Sequence, residues 1–170
     1  MSVSRIVVVE DNAADVLLME EALKQHGLEC ALQHFSNGED AAKAISEMID
    51  APDLFVVDLN LPRVHGLELL RLIRACPPVA AVPVAILTSS RAPADKTRSE
   101  QLGADAYIIK PTGYSEFMEN VGSGIFRLLR RPSPEAWSGR VCGRRDVGSR
   151  IVASRSPGRS VRRRSIGIGL

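Results

Sequence analysis

Residues able to carry charge or offer an electron pair stand where the apolar runs of this chain stop. Glu10 and Asp11 follow the run RIVVV at 5–9, and Asp58 closes LFVV at 54–57. Thr88 closes VPVAIL at 82–87, and Lys110, next to Pro111, closes AYII at 106–109. If these runs are strands pointing the same way, the set converges beyond their carboxyl ends, where parallel sheets gather functional groups. Carboxylates packed together repel, and one would be driven to its protonated form unless a cation joined them. Carboxylate oxygens suit Mg²⁺, a hard ion that prefers octahedral oxygen ligation and keeps several waters. Asp58 ends the most apolar run and faces the acid pair, which makes it the candidate nucleophile. A phosphoryl group arriving on it would be neutralised by the metal and by Lys110, while Thr88 donates its hydroxyl to a phosphoryl oxygen. Phosphoryl transfer is mainly positioning and charge stabilisation, and these residue types supply both.

Positioning such a set falls to alternating strands and helices. The runs at 5–10, 54–58, 82–87 and 106–109 read as strands buried on both faces, and 31–36 as a weaker one because it holds Gln33 and His34. Asn12 can cap a helix in which Asp15 favours the positive end. Val16, Met19 and Leu23 then recur at helical spacing until Gly27 stops the helix. Residues 38–50 place Ala41, Ala44, Ile45 and Met48 on one helical face, and Pro52 follows. Further helices are predicted over 67–75, ended by Pro77 and Pro78, over 93–102, closed by Gly103, and over 115–129. Apolar strands alternating with helices call for a parallel sheet covered on both faces. Right-handed crossovers then give an α/β, doubly wound, three-layer sandwich around five parallel strands.

The 170 residues suit one domain, and 45% hydrophobic content with only 4% aromatics demands an aliphatic core. No run approaches the roughly 18 apolar residues of a membrane span. No signal-peptide pattern precedes the first strand, so a cytoplasmic location with no membrane partner is expected. Cys30, Cys76 and Cys142 lack metal-ligand spacing and read as reduced thiols. His26, His34 and His65 read as solvated, with nothing pairing them for a metal. The net charge of +2 hides an asymmetry: residues 131–170 hold ten arginines against Glu135 and Asp146, while residues 1–130 hold twelve bases against eighteen acids. The chain therefore divides into a folded body over 1–130 and a basic, Arg/Ser/Gly-rich tail over 131–170 that is expected to be disordered.

Four segments carry a resemblance: VEDN at 9–12, VDLNLP at 57–62, LTSS at 87–90 and YIIKP at 107–111. In this order and at these separations they resemble the signatures of response-regulator receiver domains of two-component signalling. The resemblance spans residues 3 to 129 and implies a flavodoxin-like sheet of strand order 2-1-3-4-5. It implies Asp58 as phosphoacceptor, and Mg²⁺ bound by Asp11, Asp58, Glu10 and the backbone carbonyl of Asn60. It further implies Thr88 as switch hydroxyl, Tyr107 as the aromatic that changes rotamer with it, Lys110 as phosphoryl contact, and a cis bond between Lys110 and Pro111. More narrowly, EDN with Asp15 four residues past Asp11, DLNLP and LTSS look like the short regulators that partner bacteriophytochrome histidine kinases. Glu10 departs from the commoner aspartate, and His65 before Gly66 departs from the acid or small polar residue usual there.

The expectation is a stand-alone response regulator, a phosphoprotein that takes its phosphoryl group from a histidine kinase or phosphotransfer protein. It would signal by protein contact, including contact with a second copy. It would not be an enzyme beyond catalysing its own aspartyl phosphorylation and dephosphorylation. Three alternatives stand beside this. One is a regulator whose arginine-rich tail binds nucleic acid, although the tail has no helix-turn-helix pattern and no aromatic residue except Trp137. Another is an aspartyl-phosphate phosphatase, which usually needs a second acid where Asn60 stands. The third is a pseudo-receiver that is not phosphorylated and acts only as an interaction module.

Overall fold

The computed structural model describes residues 3–130. The tail at 131–170, including Cys142 and Trp137, lies outside the described residues. Strands and helices alternate: β1 (Ser4–Val9), α1 (Ala13–Gln25), β2 (Cys30–Phe35), α2 (Gly38–Ser46), β3 (Leu54–Val57), α3 (Gly66–Ala75), β4 (Val84–Thr88), α4 (Pro93–Gln101), β5 (Ala106–Ile109) and α5 (Tyr114–Leu129). All strand pairs are parallel, and the sheet order is β2-β1-β3-β4-β5. This is the flavodoxin-like, doubly wound architecture expected.

The strand period of two sends successive apolar residues to opposite faces. Val7, Val9, Phe55, Val57, Val84 and Ile86 pack with Ala41 and Ile45 of α2 and with Leu69, Leu70 and Ile73 of α3. Ile6, Val8, Leu54, Val56, Ala85 and Leu87 pack instead with Met19 and Leu23 of α1 and with Phe117, Val121 and Ile125 of α5. Two aliphatic cores therefore sandwich one sheet. Edge strand β2 alternates in burial, whereas β3 and β4 are buried throughout, which is why 31–36 reads as the weakest strand.

Local signals end the helices where the chemistry requires. The Asn12 side chain accepts from the Ala14 amide at 3.1 Å and caps α1, and Gly27 takes φ +69° just past its end. Helix α2 stops at Ser46 rather than at 50: the Ser46 hydroxyl donates to the Ala42 carbonyl at 2.8 Å, competing for the acceptor of its own helical bond. Helix α4 differs from the others. Its N-cap Ala92 offers no side-chain bond, and Ser99 is its one buried residue. Its C-terminal end is held instead by Arg74 of α3. The Arg74 guanidinium donates to the carbonyls of Ala80, Val82 and Gly103 at 2.7–3.0 Å and to the Asp105 carboxylate at 2.9 Å.

Two expectations need correction. There is no cis peptide bond among the described residues, so Lys110–Pro111 is trans; trans is the lower-energy form even before proline. Of the histidines, His34 and His65 are exposed, as expected, but His26 is half-buried. His26 Nε2 lies 3.3 Å from the Met118 carbonyl oxygen, His34 Nε2 lies 2.7 Å from that of Glu10, and His65 Nδ1 accepts from the Leu67 amide at 3.3 Å, capping α3. The Leu67 amide is one that the start of α3 leaves unpaired, whereas the Met118 carbonyl lies inside α5. Cys30 and Cys76 are free, as read from the sequence. Among the described residues, no helix is long and apolar enough to cross a membrane.

Phe55 is fully buried and pairs in register with Val7 and Val84 at the centre of one core. Phe55→Ala should cost about 3–5 kcal/mol of unfolding free energy, read from urea midpoints. A loss under about 1 kcal/mol would mean that this core collapses onto the cavity.

Candidate functional site

The in-register pairing of Val9 with Val57 sets the ends of β1 and β3 side by side, and the Asp58 amide donates to the Val9 carbonyl at 2.9 Å. The Lys110 amide donates to the Thr88 carbonyl at 2.8 Å, which ties the end of β5 to the end of β4. These backbone bonds bring Glu10, Asp11, Asp58, Thr88 and Lys110 to one edge of the sheet. Carboxylate oxygens of Glu10, Asp11 and Asp58 lie within 4.8 Å of one another. Glu10 and Asp58 are buried, whereas Asp11 is exposed at the mouth.

The Lys110 ammonium bridges this acidic group. Its Nζ donates to Glu10 Oε2 at 2.5 Å, to Asp58 Oδ2 at 2.8 Å and to Asp15 Oδ2 at 2.9 Å. Burial works against its charge, but the hydrogen bonds to Asp58, Glu10 and Asp15 outweigh that cost and hold its pKa above the ordinary lysine value. Glu10 shows the opposite balance. Burial, helped by the charge of Asp58, raises its pKa although Lys110 and the Asn12 amide pull it down. The remaining oxygens are also occupied: Glu10 Oε1 accepts from the Asn12 amide at 3.2 Å, and Asp58 Oδ1 accepts from the Asn60 amide at 3.1 Å.

Thr88 is fully buried, and its Oγ1 accepts from the Ser90 amide at 3.2 Å. Ser90 links outward: its carbonyl accepts from the Tyr107 hydroxyl at 3.1 Å, and its hydroxyl donates to Asp95 of α4 at 2.6 Å. Tyr107 is half-buried against the core on the α2/α3 face, and burial raises its pKa. Thr88, Tyr107 and the start of α4 thus meet through one serine.

All the sequence-derived site residues fall at this edge. Asn60 takes part through its amide. Three contributors were missed. Asp15 was read as a helix-start acid, yet it completes the Lys110 cage. Ser90 stands in the LTSS segment with no role of its own, and it joins Thr88 to Tyr107. Gly66 gave only the signal of a glycine at a helix start: its amide donates to Leu59 at 3.0 Å, and a Cβ there would overlap the Asp58 carbonyl oxygen and crowd Leu59 Cα.

Fold and site together define a receiver-type signalling module. Residues 6–122 match the model of the response regulator receiver domain, and the chain belongs to that family, the phosphorylatable receivers of two-component signalling. It is 34% identical over 134 residues to the phosphate regulon transcriptional regulatory protein PhoB of Rhizobium meliloti, covering 79% of this chain. The chain spans about half the length of such curated relatives, 56% in the case of PhoB. Among solved structures it is similar to the phosphorylated cyanobacterial phytochrome response regulator RcpA, with 29% identity, a TM-score of 0.71, and coverage of 78% of this chain and 99% of that one. It is also similar to the Mn²⁺-bound form of response regulator Rcp1, with 29% identity, a TM-score of 0.68, and coverage of 77% and 99%.

Gly66→Ala should push α3 off the Asp58–Leu59 backbone and lower stability by about 1–3 kcal/mol. Thermal melting checks this. A variant with wild-type stability would show that the loop at 59–65 yields freely.

Proposed function

We propose that this receiver accepts a phosphoryl group on Asp58 from a histidine kinase or a phosphotransfer protein and passes the signal on by protein contact. The observation that carries the reading is the meeting of three carboxylates within 4.8 Å beside one lysine ammonium. An all-oxygen donor set of this charge fits a hard divalent cation, and Mg²⁺ would be held by Glu10, Asp11, Asp58 and the Asn60 carbonyl. When bound, the ion supplies charge neutralisation and a template for phosphoryl oxygens. An Asp58 carboxylate oxygen attacks phosphorus, the phosphorus–nitrogen bond to the donor histidine breaks, and an acyl phosphate forms while the departing imidazole takes a proton from solvent. Lys110 directs its charge at the incoming phosphoryl oxygens. The Asn60 amide holds Asp58 in one rotamer for the attack.

The unit that does this is read as residues 1–130, with 131–170 as an appended basic tail. The similarity to RcpA favours a phytochrome-type histidine kinase as donor. Kinase and receiver would then share the cytoplasm.

Phosphotransfer from a panel of purified histidine kinases tests the proposal. Wild type should take label from at least one kinase in Mg²⁺, and Asp58→Asn should take none while remaining folded. Millimolar Mg²⁺ should stabilise wild type by roughly 1–3 kcal/mol, through binding to the native state only. Asp11→Ala should lose most of that gain. Label on Asp58→Asn, or an unchanged Mg²⁺ response in Asp11→Ala, would reject the assignment.

Thr88 and Tyr107 are proposed as the switch: the Thr88 hydroxyl turns toward the phosphoryl group, and Tyr107 moves with the Ser90 segment between them. Thr88→Ala should accept phosphate yet show little change in partner affinity on adding beryllofluoride. Full wild-type coupling in that variant would remove Thr88 from the role.

A further inference from the structure

Lys110 has three N–H donors and meets three carboxylates. Two of them, Glu10 and Asp58, belong to the cluster whose oxygens a cation would take, while Asp15 does not. Asp58 is also the residue whose carboxylate would change on phosphorylation, a point that rests on the phosphoacceptor reading above. The contacts of Lys110 to Glu10 and Asp58 are therefore the ones that must alter when the site is loaded, and the contact to Asp15 is the one that need not.

We propose that Asp15 is a positioning residue of this site, the anchor that holds the Lys110 ammonium in place while its other two partners are taken over by metal and phosphoryl group. Asp15 is built for a fixed position. It lies in the first turn of α1, where the helix dipole favours a carboxylate, and its amide donates to the Asn12 carbonyl at 3.1 Å. Asn12 caps that helix, and Met19, Ala22 and Leu23 bury the next turns. The Asp15 side chain is 22% exposed and that of Lys110 is 11% exposed, so the pair is largely shielded from water. A lysine stem has four rotatable carbons and high rotamer entropy, and a second fixed charge selects one conformer from that set. Asp15 thus links the start of α1 to the end of β5 without entering the cluster itself.

The test uses the full chain as wild type, Asp15→Asn and Asp15→Glu. Nitrogen-15 NMR of lysine ammonium groups reads whether Lys110 is held. The rate of labelling by acetyl phosphate and the Mg²⁺ dissociation constant read the site. Wild type should show a protected Lys110 ammonium signal in Mg²⁺, with and without beryllofluoride. Asp15→Asn should lose that signal and label about tenfold more slowly, the scale expected for one charged hydrogen bond, while its Mg²⁺ affinity changes by less than about threefold. Asp15→Glu should recover part of both the signal and the rate. A retained signal with wild-type labelling in Asp15→Asn overturns the proposal, as does a loss of Mg²⁺ affinity equal to the loss in rate, since that would be a general charge effect. If wild type takes no label, the phosphoacceptor reading falls. The ammonium signal then decides the anchor alone: its loss in Asp15→Asn supports the anchor, and its survival overturns it.

Discussion

Lys110 reaches from the end of β5 across β4 to meet Asp58 at the end of β3, Glu10 at the end of β1 and Asp15 at the start of α1. Without that ammonium, acids would crowd one edge of the sheet with no protein charge to balance them, and the strand ends that carry them would be driven apart. Removing one member of a buried ionic group is costly because the others are left uncompensated. The arrangement has a second effect. The ammonium is satisfied and its pKa lies above the ordinary value, whereas burial raises that of Glu10. Four carboxylates, those of Glu10, Asp11, Asp15 and Asp58, gather around one ammonium, so the site has room for the charge of a second cation.

Much of this was legible in the sequence because it depends on local patterns. Four apolar runs, each ending in a polar residue, point to both the parallel sheet and the edge where the chemistry sits. Asn12 and Gly27 act at α1 as their residue types dictate. The less legible parts depend on what meets across the fold. Asp15 looks like any first-turn acid until Lys110 arrives from far along the chain. Gly66 looks like a helix-start glycine until the backbone of Asp58 is placed against it. Sequence likewise does not show which backbone carbonyl or amide each histidine will meet, nor that His26 is half-buried. The trans Lys110–Pro111 bond shows the limit of carrying a feature over from a resemblance: the motif was right, and the peptide geometry was not.

The two cores are unequal in what they hold. Helices α1 and α5 bury several large side chains each, as does α3, whereas α4 contributes only Ser99 to the interior. A helix with so little apolar surface is placed by its polar ties. At its start these are the Ser90–Asp95 bond and the Tyr107 hydroxyl on the Ser90 carbonyl. The serine that sits beside Thr88 is thus also the one that tethers the helix.

At the far end of α4, the Arg74 guanidinium grips the Gly103 carbonyl through two nitrogens and reaches the Ala80 and Val82 carbonyls and Asp105. That end is joined to α3 and, through Asp105, to the start of β4 by several bonds, against the ties through Ser90 alone at the start. Such unequal tethering makes α4 a lever. A small displacement applied at Ser90 would turn the helix about a fulcrum at Gly103 more readily than carry it bodily sideways. The travel of such a turn would grow toward Pro93, on the exposed first turn, the part best placed for another molecule to feel.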